Sequence, residues 1–190
     1  MGLLDPPGFR RNRHGKVWLH LGDADRRLMG DLLTQMSGLL SEPEAEDPGD
    51  PVDPLAELVG IDPTAARPED PALARLFPDA YEDPDDADEF RRFTQRDLRT
   101  TKLGNLTTAS ETLARPNPTQ LSEAECLAWL GALNDLRLTL GTRLDVGEGG
   151  PEEFLALPED DPRRGMYLVY DWLTYHQDRL VQALQKGVRA

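Results

Sequence analysis

The chain has 190 residues, enough for one domain with a substantial buried core, and its net charge is −14. Apolar residues make up only 38%, and the single cysteine, Cys126, excludes an internal disulfide and a cysteine-based zinc site. The charge is concentrated, because residues 42–89 carry 17 acidic side chains against two arginines, which leaves +1 on the remainder. We therefore predict two near-neutral segments separated by an acidic insert, which we place at residues 42–83.

The first predicted element is a small β-hairpin within residues 9–21. His14 and Gly15 suit a turn, and the apolar residues Val17, Leu19 and Leu21 then recur at every second position. That period is typical of a half-buried strand. An amphipathic helix of about five turns follows from Asp23, since leucines and methionines recur at intervals of three and four residues before Pro43.

The insert is rich in proline, mostly in Asp-Pro pairs, and nine of the 16 prolines lie between residues 42 and 89. Proline removes an amide donor and disfavours the helical conformation of the preceding residue, so no long helix can cross this stretch. Short helices remain compatible with residues 55–59 and 72–77, which each follow a proline. We expect residues 42–52 to be mobile, and we favour a solvated loop over a dedicated binding tail.

A long helix is predicted from Asp83, where carboxylates crowd the first turn and favour the helix dipole. Phe90 and Phe93 lie on one side of this helix, whereas the apolar residues after them are rotated by about 100° around the helix axis. This rotation indicates a change of packing partner near Gly104. Two further helices are predicted at residues 122–144 and 163–186. The fold class is therefore mainly α: one domain over residues 1–190, a bundle of about four principal helices with a small N-terminal β-hairpin and a proline-rich acidic insert.

Two basic residues interrupt the predicted apolar stripes. Lys102 lies midway between Leu98 and Leu106, and Arg137 lies about 40° from the centre of its stripe. A buried charge needs a partner, so these residues belong either to a structural network closed by Asp97 or Asp171, or to a pocket for an anion or a partner's carboxylate. The candidate anion or partner site comprises Lys102, Arg137, Arg99, Asn105 and Asn134.

Catalytic signatures are absent from the sequence, which has no P-loop, no G-x-S-x-G and no H-E-x-x-H. We interpret His176 as a core histidine with satisfied hydrogen bonds and Cys126 as a buried structural thiol. Prolines between Asp47, Asp50 and Asp53 argue against a calcium loop. No catalytic residue, metal site or cofactor is therefore predicted.

Four sequence blocks resemble an actinobacterial family of unknown function, domain family two thousand and seventeen. The blocks are residues 9–11 (FRR), 70–81 (DPALARLFPDAY), 89–92 (EFRR) with Leu98, Arg99 and Lys102, and 133–144, which contains LNDLRL and LGTRL. The resemblance implies a cytosolic protein often encoded beside the proteolytic adaptor ClpS and genes of cysteine biosynthesis with a sulfur carrier. It implies no established activity.

Three functions are compatible with the sequence, and we favour a cytoplasmic interaction or regulatory protein with a protein partner. The second is a DNA-binding regulator using the basic patch Arg10, Arg11, Arg13 and Lys16, which the net charge disfavours. The third is an enzyme or small-anion sensor using Lys102 and Arg137. A homodimer is compatible with all three. No apolar run reaches the roughly 18–20 residues needed to span a bilayer, so we expect no membrane association.

Overall fold

The structure, a computed structural model, describes residues 7–41, 65–146, 154 and 156–185. These residues form five helices and a three-stranded antiparallel sheet, which confirms a mainly α protein. The elements are β1 (Gly8–Arg11), β2 (Val17–His20), α1 (Asp23–Ser41), α2 (Pro71–Leu76), α3 (Pro84–Ala114), β3 (Thr119–Leu121), α4 (Glu123–Leu144) and α5 (Pro162–Gln185). The predicted mobility of residues 42–52 and the predicted helix at 55–59 lie outside the described residues.

The predicted hairpin is formed by β1 and β2, which pair from Gly8 with His20 to Arg11 with Val17. Its turn contains Gly15 at φ 79°, a left-handed conformation that glycine adopts without strain. The sequence did not reveal β3, which adds to the other edge of β2 through Val17 and Leu121. A strand of three residues directly after two prolines carries too little pattern to be recognised.

Side-chain caps begin four of the helices, and at α5 the Asp161 side chain accepts a hydrogen bond from the Arg163 amide. Asp70 accepts a hydrogen bond from the Ala72 amide at the start of α2, and Asp83 does so from the Asp85 amide at the start of α3. Ser122 and Glu125 form a complete capping box at α4. These bonds satisfy amide donors that the first helical turn leaves without partners.

Arginines from α1 and α3 bind the C-terminal carbonyl groups of the opposite helix. Arg99 of α3 donates to the Leu40 carbonyl oxygen near the end of α1 at 2.9 Å. Arg26 of α1 donates to the carbonyl oxygens of Leu113 and Arg115 at the end of α3. Because helix C-termini carry partial negative charge and unpaired carbonyls, these contacts stabilise the antiparallel arrangement of the two helices.

The core lies between α1, α3, α4, α5 and the inner face of the sheet. Trp129 of α4 is fully buried, and its indole nitrogen donates to Thr112 Oγ1 at 2.8 Å. Phe9 of β1 packs edge-on against this ring, with a centroid separation of 5.4 Å. None of the helices in the described ranges combines the length and the apolar character that crossing a bilayer requires.

Candidate functional site

Lys102 is largely shielded from solvent and is ion-paired to a buried carboxylate. Its side chain is 12% exposed, and its Nζ donates to Oδ1 of Asp135 at 2.7 Å, while the Asp135 side chain is only 3% exposed. The pair joins α3 to α4. Of the two carboxylates that the sequence suggested as partners, Asp97 and Asp171, both are exposed. The partner is instead a residue that sequence reasoning did not select.

Arg137 is held by three uncharged side chains of α5. Its Nε donates to Thr174 Oγ1 at 2.9 Å, its Nη1 to Gln177 Oε1 and its Nη2 to the Tyr170 hydroxyl at 3.3 Å. The guanidinium carbon also lies 5.3 Å from the centre of the Tyr170 ring. Residues 135 and 137 are about 200° apart on a helix, so Arg137 and the Lys102 pair lie on opposite sides of α4. The structure does not bring the two cations together.

The other members of the candidate anion site are also dispersed. Arg99 binds the end of α1 and stacks on Phe77, 5.0 Å from the ring centre. Asn105 lies against Gly131 of α4, where a Cβ would come within 2.5 Å of its Nδ2, so the glycine permits this close helix contact. Asn134 is exposed. Arg99, Asn105 and Asn134 therefore lie in different environments and do not form one site.

The predicted basic patch is not gathered on one surface. Arg10 and Arg11 are neighbours in β1 and therefore point to opposite faces of the strand. Arg11 donates to the Ala183 carbonyl oxygen at 3.3 Å, and Arg13 donates to His14 Nε2 at 3.2 Å. Lys16 is exposed.

His176 is fully buried as predicted, but the expectation of satisfied hydrogen bonds was wrong. Neither ring nitrogen has a hydrogen-bond partner among the described residues, and the ring packs against Trp172 with a centroid separation of 4.4 Å. Gly8 adopts φ 119° beside it, and a Cβ there would lie 3.1 Å from Nδ1. Burial lowers the pKa of His176 to about 4, so the imidazole is neutral at physiological pH.

Cys126 is buried, in agreement with its interpretation as a structural thiol. Burial raises its pKa to about 11, which keeps the thiol protonated and a poor nucleophile near neutral pH. Within the described ranges, no three histidine, cysteine or acidic side chains lie together in a way that could hold a metal ion.

An apolar groove of about 570 Å³ runs between α1, α4 and α5. Met36, Leu136, Leu140 and Met166 contribute to its walls, and Arg143 lies among the lining residues. Arg143 also approaches Asp70 Oδ2 at 3.5 Å, so its charge is partly compensated. Neither Lys102 nor Arg137 lines this groove.

A second surface feature lies at the beginning of α3, where three large aromatic side chains are exposed. Tyr81, Phe90 and Phe93 are 52%, 41% and 50% exposed, and the Tyr81 and Phe90 rings meet edge to face at 5.6 Å. Together with Asp86 and Glu89 they line an open cavity of about 380 Å³. We call these five residues the aromatic–acidic face.

Burial in this part of α3 is the inverse of the usual pattern, in which a helix buries its apolar face. Its buried side chains are Ala87, Arg91 and Gln95, whereas Phe90 and Phe93 face solvent. Arg91 is held inside by Asp79 and lies 3.5 Å from the Phe77 carbonyl oxygen. The sequence separated Phe90 and Phe93 from the main stripe and predicted another packing partner for them. The Tyr81 ring contacts Phe90, and both phenylalanines keep a large part of their surface exposed.

Comparison with known proteins identifies the family. The family described as Domain of unknown function (DUF2017) matches residues 6–184, which is most of the chain. The protein belongs to this family. No solved structure matches the chain.

Three of the four blocks that carry the resemblance to the DUF2017 family contact one another in the fold. Residues 70–81 meet residues 89–102 through Asp79 with Arg91 and through Phe77 with Arg99. The second of these blocks meets residues 133–144 through Lys102 and Asp135. Arg143 in residues 133–144 approaches Asp70 in residues 70–81. In this DUF2017 protein, ion pairs and a cation–π contact therefore join these three blocks across α2, α3 and α4.

Mycobacterial proteins similar to this chain are named as regulators. The "Oxidative stress regulator AosR" of Mycobacterium tuberculosis (strain H37Rv) is 34% identical over 197 residues, which cover 95% of this chain and 84% of the relative. The protein of the same name from Mycobacterium bovis shows the same 34% identity and the same coverage. The relatives of this DUF2017 protein thus support a regulatory role.

Proposed function

We propose that this protein is a non-catalytic regulatory protein that acts in the cytoplasm by binding another protein, in a response to oxidative stress. The observation that carries the proposal is the aromatic–acidic face, since exposed apolar clusters with a polar rim are typical of protein interaction sites. The proposed role in oxidative stress is based on the name of the mycobacterial relatives.

The surroundings of Lys102 and Arg137 favour a non-catalytic protein over an enzyme. Lys102 is neutralised by Asp135, and Arg137 donates its hydrogen bonds to side chains of α5. A catalytic or anion-binding cation must instead face the space that its ligand would enter. We therefore favour the regulatory function over an anion sensor or an enzyme that uses Lys102 and Arg137.

In this proposal the partner protein, and not this chain, carries out the redox chemistry of the oxidative-stress response. The sequence has one cysteine, and that residue is buried with a raised pKa, so it can form no internal disulfide and is poorly reactive as a thiol. ClpS-dependent proteolysis and cysteine biosynthesis with a sulfur carrier are the processes in which we place the partner. Both follow from the family resemblance of the sequence.

DNA binding is the alternative regulatory mechanism. The term regulator is compatible with it, but Arg10 and Arg11 diverge on β1 and the net charge of −14 repels a polyanion. We expect no shift of duplex DNA at physiological salt. A submicromolar, sequence-dependent shift would replace protein binding with this mechanism.

We predict that Phe93→Ser abolishes the regulatory role without unfolding the protein, because Phe93 is half exposed and is not one of the buried core residues. The gene would be deleted in the source organism and restored as wild type, Phe93→Ser or Leu168→Ser. Leu168 is a matched control, an exposed apolar residue on α5. Survival in hydrogen peroxide is measured at equal protein levels.

Wild type and Leu168→Ser should restore survival, whereas Phe93→Ser should not. If deletion leaves peroxide survival unchanged, the oxidative-stress role is wrong. If the Phe93→Ser strain survives as well as wild type, the aromatic–acidic face has no part in the function.

A further inference from the structure

The aromatic–acidic face is a continuous strip of α3. Asp86, Glu89, Phe90 and Phe93 are spaced as i, i+3, i+4 and i+7, so they fall within an arc of about 100° on one side of the helix. Tyr81 precedes the helix and lies edge-on against Phe90. Two carboxylates and three rings therefore line one open cavity.

The charge on this face is strongly negative and is not neutralised locally. Residues 81–93 carry six acidic side chains against Arg91 and Arg92. Arg91 is buried on Asp79, and Arg92 lies about 200° round the helix from Phe90. Neither the Asp86 nor the Glu89 carboxylate forms an ion pair within the described part of the chain. The positive N-terminal end of the α3 dipole offsets only part of this charge, since Asp83 at the N-cap and Asp85 in the first turn also lie there.

This combination selects the partner's chemistry. Aromatic faces attract cations through the ring quadrupole, and arginine does so most often because its flat guanidinium also stacks. Carboxylates beside the rings form charge-assisted hydrogen bonds with the same group. A site that presents both, with little cationic charge of its own, is complementary to an arginine or lysine flanked by apolar side chains.

The alternative occupants are electrostatically disfavoured. In a symmetric dimer through this face, the same acidic residues would meet across the interface and repel each other. Nucleic acid and anionic membranes carry the same sign of charge as the face. A basic protein segment is the occupant that remains.

We propose that the aromatic–acidic face binds a positively charged, amphipathic segment of a partner protein, with its arginine or lysine side chains over Phe90, Phe93 and Tyr81 and paired with Asp86 and Glu89. The inference rests on the proposed regulatory function and specifies its partner. Apolar side chains of the segment cover the ring edges, and the flanking acids accelerate its association.

The test uses the full-length protein and three fluorescein-labelled synthetic peptides of equal length. One combines arginine and leucine, one combines arginine and serine, and one combines glutamate and leucine. Fluorescence anisotropy gives the dissociation constants at two salt concentrations. We expect the arginine–leucine peptide to bind tightest, the arginine–serine peptide to bind about tenfold more weakly, and the glutamate–leucine peptide not to bind.

Variants assign the binding to the face. Phe93→Ser should weaken binding of the arginine–leucine peptide tenfold or more, and Glu89→Gln should weaken it several-fold and reduce its salt dependence. Glu111→Gln, an exposed acid near the other end of α3, and Leu168→Ser should leave the affinity unchanged. Circular dichroism melting curves verify that each variant is folded.

Four outcomes would overturn the inference. Equal binding to the wild type and to Phe93→Ser would place the peptide elsewhere, and equal binding of the acidic and basic peptides would remove the charge argument. A dimer in light scattering that Phe93→Ser dissociates would assign the face to a second copy of the chain. If peptide binding fails but Phe93→Ser still abolishes peroxide survival, the regulatory function stands and only the partner chemistry is wrong.

Discussion

Lys102→Met is expected to lower the free energy of unfolding by about 3–5 kcal/mol, because it leaves the Asp135 carboxylate buried without its partner. The Asp135 side chain is 3% exposed and accepts a hydrogen bond from Lys102 at 2.7 Å, so water cannot readily replace the ammonium group. Urea denaturation of both proteins, monitored by circular dichroism, measures the difference. A loss below about 1 kcal/mol, the range of surface ion pairs, would contradict a buried pair.

Two further variants separate a stranded charge from lost packing. Lys102→Met combined with Asp135→Leu should recover most of the lost stability, since replacing both members of a buried pair by apolar groups is often neutral. Arg137→Met should cost less than Lys102→Met, about 2 kcal/mol, because Thr174, Gln177 and Tyr170 are uncharged. If Arg137→Met is the more damaging single change, the assignment of the carboxylate to Lys102 is wrong.

The secondary structure could largely be predicted because its signals are local. Alternation between Val17 and Leu21 identified the hairpin, and Asp83 and Ser122 marked the starts of α3 and α4. Each signal depends on residues within a few positions of one another. The strand β3 was missed because its position depends on pairing with Val17 and Leu19, about 100 residues earlier in the chain.

The partner of Lys102 could not be predicted because α4 is buried on two sides. Leu133 and Asp135 are about 200° apart on the helix, yet they are 0% and 2% exposed. A search for one apolar stripe assigns the side opposite Leu133 to solvent. A carboxylate there looks like a surface residue, although α3 covers it. The pairing of Lys102 with Asp135 therefore depends on the packing of α3 against α4, which the sequence pattern does not reveal.

The exposure of Phe90 and Phe93 follows from tertiary structure as well. Helical periodicity separated these rings from the stripe of Leu106, Ala109 and Leu113, but periodicity does not reveal whether another element covers them. In the fold, Arg91 rather than a ring enters the interior, because Asp79 and the Phe77 carbonyl oxygen lie there. The inverted start of α3 is thus a property of the packing.

A decrease in stability of about 3 kcal/mol is expected between pH 6.5 and pH 4 because of His176. Burial lowers its pKa from 6.5 to about 4, and the Asp25 carboxylate opposes this only in part. In that pH range the unfolded chain binds a proton at this histidine and the folded protein does not. Acidification therefore favours unfolding until pH falls below the folded-state pKa, where this contribution levels off.

Carboxylates with lowered pKa values act in a lower pH range. The backbone hydrogen bond from Ser122 lowers the pKa of Glu125 below its usual 4.5, and the Arg163 side chain lowers that of Asp161 below 3.8. Both groups stabilise the protein above these values and lose that effect as pH falls further. Their contribution is therefore lost mainly below the pH range in which His176 acts.

His176→Phe should flatten the stability profile over this range, because phenylalanine fills the site beside Phe9 and Trp172 without binding a proton. Urea denaturation at several pH values between 4.5 and 7.5 gives each profile relative to its own value at pH 7.5, so a constant packing cost cancels. His20→Gln, which changes an exposed histidine on β2, should keep the wild-type profile. A His176→Phe profile as steep as that of the wild type would show that the pKa of His176 is the same in the folded and unfolded states, and hence that burial does not lower it.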